Sequence, residues 1–354
     1  MSSSIGQESR KSEYLGGAFE GVILTGAEES NENSPSSSTA EKQQVKLIEI
    51  DDPDSIESVA FLVDGRHIVG GGTGGKIRCW RVEDGALMGT MDAKSHVWDI
   101  AVSGDGKWVV SGMTDGMVIV WSAASYEKVI AFAAHTSAVG AVDVSPDGTR
   151  IATGSEDKTA CIWSLSTGQR LLGPLQHNTN ILAAKFSPDG RLTATCDYSC
   201  IRIYDSQHDR PLVDVEIRAS PSINQSLVWN NDSKQLFILS DDGDINLLDL
   251  STGTTRATWS THAGYDPKCI AIERNGTFIA VSAYPSVSLW DTTTHEHIGL
   301  ITVDTHLVES IALSANYVLA MAGGNAIALC SLCEVLPSSY MNRVSVFPLC
   351  ETVS

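Results

Sequence analysis

The feature that most constrains this chain is a turn that returns at a nearly fixed interval. Asp64-Gly65, Asp105-Gly106, Asp147-Gly148, Asp189-Gly190, Asp232-Ser233 and Asn275-Gly276 follow one another at intervals of 41, 42, 42, 43 and 43 residues. Residues 135–176 show what lies between two such turns. Small and branched apolar residues fill 139–144, and Ser145-Pro146-Asp147-Gly148 turns the chain. Residues 150–154 run back, Glu156-Asp157-Lys158 turns again, and 159–165 carry Trp163. Ser166-Thr167-Gly168 makes a third turn before 169–172. Runs of about five residues split by Pro, Gly, Asp and Ser predict four antiparallel strands per unit. One such sheet cannot cover both its faces, so each unit needs neighbours.

The aromatic near the end of the third strand also recurs, as Trp80, Trp121, Trp163, Tyr204 and Trp290, and becomes Leu248 and Cys330 in two copies. Residues 308–332 form a shortened seventh copy. Four strands per unit at a period of about 40 to 45 residues predict an all-β chain: a single seven-bladed β-propeller of four-stranded antiparallel blades.

Residues 135–163 carry a His, a strand, Pro-Asp-Gly, a strand of small residues ending near a hydroxyl, an Asp and a Trp. This order resembles one blade of the WD-repeat (WD40) family. The resemblance implies a buried hydrogen-bonded network of His135, Thr153, Asp157 and Trp163. Satisfied acceptors would then offset the cost of burying a carboxylate. A catalytic role for the same His, Asp and hydroxyl is set aside in this repeating context. The second blade matches at Ser111, Asp115 and Trp121, and the fourth at His177, Thr195 and Tyr204. The fourth is one residue short, so Asp197 aligns only with a gap. The fifth keeps Asp242 alone, and the first has Gly70 and Gly74 at the hydroxyl and carboxylate positions. Stability is therefore expected to centre on blades two to four.

Outside the repeats, residues 1–44 read as a disordered acidic, Ser-rich tail, because its low hydrophobicity does not offset chain entropy. An apolar island at 14–24 interrupts it, either as a docking segment or as an unstructured patch. The propeller is expected over 45–333, with 45–50 as the strand that closes the ring onto the short last blade and so removes two exposed edges. Residues 334–354 read as an irregular extension.

A net charge of −19, from 24 basic and 43 acidic residues, disfavours nucleic acid and anionic membrane as partners, since neither gains counterion release here. No run is apolar enough to span a membrane, and the polar start carries no secretory signal. Eight cysteines without a disulfide framework point to a reducing compartment: the cytoplasm, with the nucleus as alternative. No cofactor is expected. Residues 70–76 approach a phosphate-binding loop, but Ile77 stands where a hydroxyl should hold magnesium and the loop joins two strands. No metal is expected either. Cys330 and Cys333 would point to opposite faces of a strand, and Cys196 and Cys200 flank a hairpin without further ligands.

No nucleophile, base and oxyanion donor converge, so the chain is not expected to be an enzyme. Its expected role is a non-catalytic scaffold, a monomeric propeller binding proteins or peptides on one face. The alternatives are a substrate receptor of a ubiquitin ligase and a sensor module of a signalling protein. In the WD-repeat family partners use the face carrying the loops before each first strand and between the second and third strands. The Asp-Gly alignment puts Glu57, His96, Trp98, Asn180, Ile223, Gln225, Asp266, Lys268 and Glu309 in the first set of loops, and Thr114, Glu156 and Asp241 in the second. Trp98 either anchors a partner or packs under the neighbouring loop. The acidic excess predicts a basic peptide as ligand.

Overall fold

The computed structural model describes residues 24–26, 47–206, 208, 210–216, 227–240, 242–260, 267–283, 286–302, 308–337 and 340. The strand segments pair antiparallel into seven sheets, each following the preceding one in the sequence. Blade one is Ile56–Phe61, His67–Gly72, Lys76–Arg81 and Leu87–Asp92, and blade three is Val139–Val144, Arg150–Ser155, Thr159–Ser164 and Arg170–Gln176. The first strands of consecutive blades pack on one another, and that of blade seven (Ser310–Leu313) packs on that of blade one. The chain is thus a seven-bladed β-propeller with the first strands innermost.

Turn chemistry explains why each unit folds on itself. In blades two to four a serine hydroxyl donates to the aspartate two residues on, at 2.5–2.6 Å, and accepts the N–H that starts the next strand. The following glycine takes a left-handed conformation. Gly148 does so at φ +68°, with nothing within 4 Å of a would-be Cβ, so the demand there is conformational alone. Blades five and seven keep the turn with Ser233 and Tyr317 at φ +57°, which costs strain but preserves the register.

The second and third strands are sandwiched between neighbouring blades, so both faces are apolar: Met117–Ser122 is buried at Val118, Ile119, Val120 and Trp121. Outer strands face solvent on one side, exposing Val129, Leu171 and Leu212. Blade six is the exception. Its outer strand, His297–Thr302, buries Ile298 and Ile301, because both ends of the chain return to it. Leu24–Gly26 pairs along it as a fifth strand, Thr25 opposite Leu300. Leu332 and Leu336 pack in the same core cluster, and the Tyr340 hydroxyl donates to Asp291 at 2.6 Å. A part of the stretch read as tail therefore contributes a strand, and the start of the stretch read as an irregular extension contributes core. The remainder of both, with the island before Leu24, lies outside the described residues.

Two devices close the ring. Leu47–Asp51 pairs with Ala326–Ser331 from Leu47 opposite Cys330 to Asp51 opposite Ala326, completing blade seven. Closer to the axis, a side chain at one shared register position of the inner strand bonds a backbone N–H on the next blade. Ser310 Oγ accepts from Val59 N, Ser58 Oγ from Ile100 N, and Asp99 Oδ2 from Val142 N, at 3.2, 3.1 and 2.9 Å. The belt thus crosses the junctions from blade seven to one, one to two and two to three. At the next junction Ala141 offers no acceptor, and Asp143 takes over two residues later by accepting from Phe186 N at 2.8 Å.

Candidate functional site: a bulged acidic and aromatic cluster

The hydrogen-bond networks of the blades set the frame for the site. In blade three Trp163 Nε1 donates to Thr153 Oγ1 at 2.8 Å, His135 Nε2 lies 2.7 Å from the same oxygen, and His135 Nδ1 is 3.0 Å from Asp157. A neutral imidazole protonated on Nδ1 satisfies all three: it donates to Asp157 and accepts the Thr153 proton. Blade two retains only Trp121 Nε1 donating to Ser111 at 3.0 Å. The network expected at Asp115 does not form. That residue is exposed and accepts only the Met117 N–H of its own turn, because no histidine reaches it.

Blade four differs from expectation in the other direction, since its histidine, threonine and aspartate join despite the gap in the alignment. His177 Nε2 lies 2.8 Å from Thr195 and Nδ1 3.1 Å from Asp197. Asp197 sits in the register position that Ser155 holds in blade three, two residues earlier than Asp157, and its hairpin is one residue shorter. The shorter turn aims its carboxylate at the same histidine. Asp197 also accepts from Ser199 N and Oγ, Cys200 N, Asn178 N and Thr179 N. Blade one replaces the network with ions: Arg78 bridges the buried Asp52 and, at 2.9 Å, Asp54.

His177, Asp197 and Cys200 bring three ligand-type atoms within 4.8 Å of one another. Their hydrogen bonds account for the arrangement: Cys200 stands where blade three has Thr159, and the Asp197 oxygens are filled by N–H and O–H donors. Burial pushes the Cys200 thiol up to about 11, against the thiolate that a metal needs.

Both histidines are held below their ordinary pKa, first by burial; Asp157 and Asp197 oppose this, and Arg202 adds to it in blade four. Burial alone would raise the two aspartates, but the donors around them hold both below the usual carboxylate range. For all four groups the folded state binds protons less readily than the unfolded chain. Stability is then full at neutral pH and falls as pH drops, first through the histidine range below about 6.5 and then through the carboxylate range below about 4. The melting temperature is expected to fall between pH 7.5 and 5.0, with a shallower fall in His177→Gln. An equal pH slope in that variant contradicts this assignment.

The candidate site lies where each inner strand begins. In blades one to four the register slips between the first and third residues of that strand, leaving Glu57, Trp98, Gly140 and Leu182 at equivalent bulges. A bulge re-aims its side chain away from the sheet. Lys268 in blade six and Glu309 in blade seven hold the equivalent position. In ring order the described residues read Lys268, Glu309, Glu57, Trp98, Gly140, Leu182. The loops between second and third strands reach the same end, since Thr114 N donates to His96 O and Glu156 N to Ala138 O.

Three of these residues and His96 form a cluster. His96 stacks on Trp98 with ring centroids 4.5 Å apart and 24° between planes. His96 Nε2 is 3.5 Å from Glu57 Oε1, a long contact, and both side chains are 24% exposed. Neither His96 Nε2 nor Trp98 Nε1 has a hydrogen-bond partner, although both atoms are shielded from solvent. Burial raises the Glu57 carboxyl; His96 opposes this and the Glu309 carboxylate adds to it. Two carboxyl groups thus stand near enough for one to raise the other, beside an aromatic pair whose shielded nitrogens make no hydrogen bond.

Of the other residues expected on this face, Thr114 and Glu156 are exposed at its periphery, where Glu156 accepts from the Ser137 hydroxyl at 3.2 Å. Asn180 is half-buried ahead of Ile181. Ile223, Gln225, Asp241 and Asp266 lie outside the described residues. Sequence reasoning missed Ser58, Asp99, Asp143 and Ser310, whose partners lie about one repeat away or across the ring closure. A charged residue in an apolar inner strand was the available signal at Asp99 and Asp143.

Comparison with known proteins agrees with this architecture. Residues 45–81, 85–122, 126–164 and 169–205 match the WD40 family model described as WD domain, G-beta repeat. Nuclear distribution protein nudF of Emericella nidulans is 32% identical over 88 residues, which make up 24% of this chain and 20% of that protein. The chain thus spans about a fifth of the length of this curated relative. Four matched repeats on a ring of seven like blades are consistent with a WD-repeat β-propeller family.

Proposed function

We propose that this propeller is a non-catalytic protein-interaction scaffold that binds an extended, basic segment of a partner across the end carrying Glu57, His96, Trp98, Glu156 and Glu309. The observation that carries this reading is the bulge-built cluster itself. It sets two acidic side chains beside a half-buried aromatic pair, with two ring nitrogens lacking hydrogen bonds. A polar atom withdrawn from water without a partner is costly, and a peptide supplies both the missing acceptor and the missing positive charge. Large aromatic side chains in partly desolvated positions carry much of the energy at protein interfaces. The acidic excess of the chain adds attraction at long range, which weakens with salt.

The test compares proteins recovered from cells with the wild-type chain, Trp98→Ala, Glu156→Lys and the rim control Leu212→Ser. Trp98→Ala and Glu156→Lys are expected to reduce recovery of the same principal partner severalfold with the melting temperature kept, while Leu212→Ser recovers it normally. Normal recovery by both face variants at low salt rules this face out. If ubiquitin-ligase adaptor subunits are among the proteins lost, the scaffold is a substrate receptor.

A further inference from the structure

We propose that the arc Glu309–Glu57–His96–Trp98 is an arginine subsite: the guanidinium of one partner arginine enters between the two glutamates and lies against the His96–Trp98 stack. The inference rests on the peptide-binding reading above and names the side chain that this cluster selects.

Glu57 and Glu309 project from equivalent positions on adjoining blades, at the junction where the ring closes. Each is half-buried, so neither charge is fully screened by water. The Glu309 carboxylate adds to the cost of ionising Glu57, and a cation placed between the two offsets it. His96 offsets part of this cost, but its Nε2 approaches Glu57 only to 3.5 Å, a long contact that leaves carboxylate oxygen for a second donor. Lys268 stands on the opposite side of Glu309 in ring order, leaving the Glu57 side of the pair to the ligand.

Arginine fits these constraints better than lysine. A planar guanidinium can stack on an aromatic ring while its edge donates to two acceptors at once. An ammonium is a strongly hydrated point charge that satisfies the carboxylates but gains little from the rings. Glu57, His96 and Glu309 do not converge as a metal site: among the described residues the close three-donor group is His177, Asp197 and Cys200.

The test uses the full chain and four fluorescent pools of eight-residue peptides, random except for one central residue: arginine, citrulline, lysine or glutamate. Citrulline keeps the shape of arginine and removes the charge. Fluorescence polarisation is expected to show the arginine pool binding about tenfold more tightly than the citrulline pool and several times more tightly than the lysine pool. Glu57→Gln and Glu309→Gln, with melting temperatures unchanged, are each expected to erase most of that preference. Equal binding of arginine and citrulline pools overturns the arginine subsite, as does an arginine preference that survives both substitutions. If binding is equal across pools yet lost in Trp98→Ala, the arginine inference falls while the peptide-binding face stands. Absence of binding by every pool also overturns the subsite, and the cellular recovery experiment then decides the fate of the broader reading.

Discussion

Asp197→Ala is expected to be the most damaging single substitution in the protein, lowering stability by about 3–5 kcal/mol. Its side chain is fully buried, and six donor contacts converge on its two oxygens. Truncation strands His177 Nδ1 and several backbone N–H groups in a place water does not reach. Asp157→Ala is expected to cost less, since the carboxylate is 13% exposed and water replaces part of what is lost. Asp147→Ala, in a solvent-facing turn, and Asp115→Ala, with one backbone donor, are each expected to cost less than about 1 kcal/mol. Thermal and denaturant melts of the four variants give the ranking. An Asp197 variant no worse than the Asp157 variant contradicts the idea that the shorter hairpin of blade four builds the tighter network.

Removing residues 1–52 is expected to have an effect as large on the ring as a whole. That deletion strips the strand from blade seven, exposes the edge of Ala326–Ser331, and takes away Asp52, the buried partner of Arg78. An unpaired edge recruits other chains, and Arg78, losing its buried counter-ion, keeps only the more exposed Asp54. Size-exclusion chromatography is expected to show aggregates in place of a monomer, with no cooperative melt. Among the described residues, removing 1–40 takes only the three-residue strand Leu24–Gly26 from blade six, and it is expected to leave a cooperative melt close to that of the full chain. A monomeric 53–354 fragment with an unchanged melting temperature assigns closure to the inner belt alone.

Both expectations show where the amino-acid sequence was a sufficient guide. The Asp-Gly turns declared themselves through spacing, because a left-handed turn needs a small set of residues and strand length fixes the distance to the next one. Seven blades and the position of Trp163 over Thr153 follow from that count. Asp197 was harder. Its alignment needed a gap, and nothing in Cys196-Asp197-Tyr198-Ser199 states that a shorter hairpin swings the carboxylate back to His177. The bulges at Glu57, Trp98, Gly140 and Leu182 were hidden for a related reason. A register slip is a property of two strands, and the alternation of either one alone does not contain it. The contribution of residues 24–26 to blade six was also illegible, since Leu24-Thr25-Gly26 has no pattern of its own and gains a partner only from a strand some 270 residues later.

The belt of side chains near the axis has a mechanical meaning. A ring whose two ends meet has one seam, and under tension the seam is where a tear would be expected to start. Here the seam between blades seven and one is stitched twice, by the strand Leu47–Asp51 on the outside and by Ser310 holding Val59 N on the inside. The inner stitch continues through Ser58 and Asp99 to Val142, then loses its place at Ala141. The molecule is therefore reinforced along the arc from blade seven through blade three, the same arc that carries Glu309, Glu57 and Trp98. A load applied at that end is expected to enter the wheel through a stitched sector and leave the seam shut.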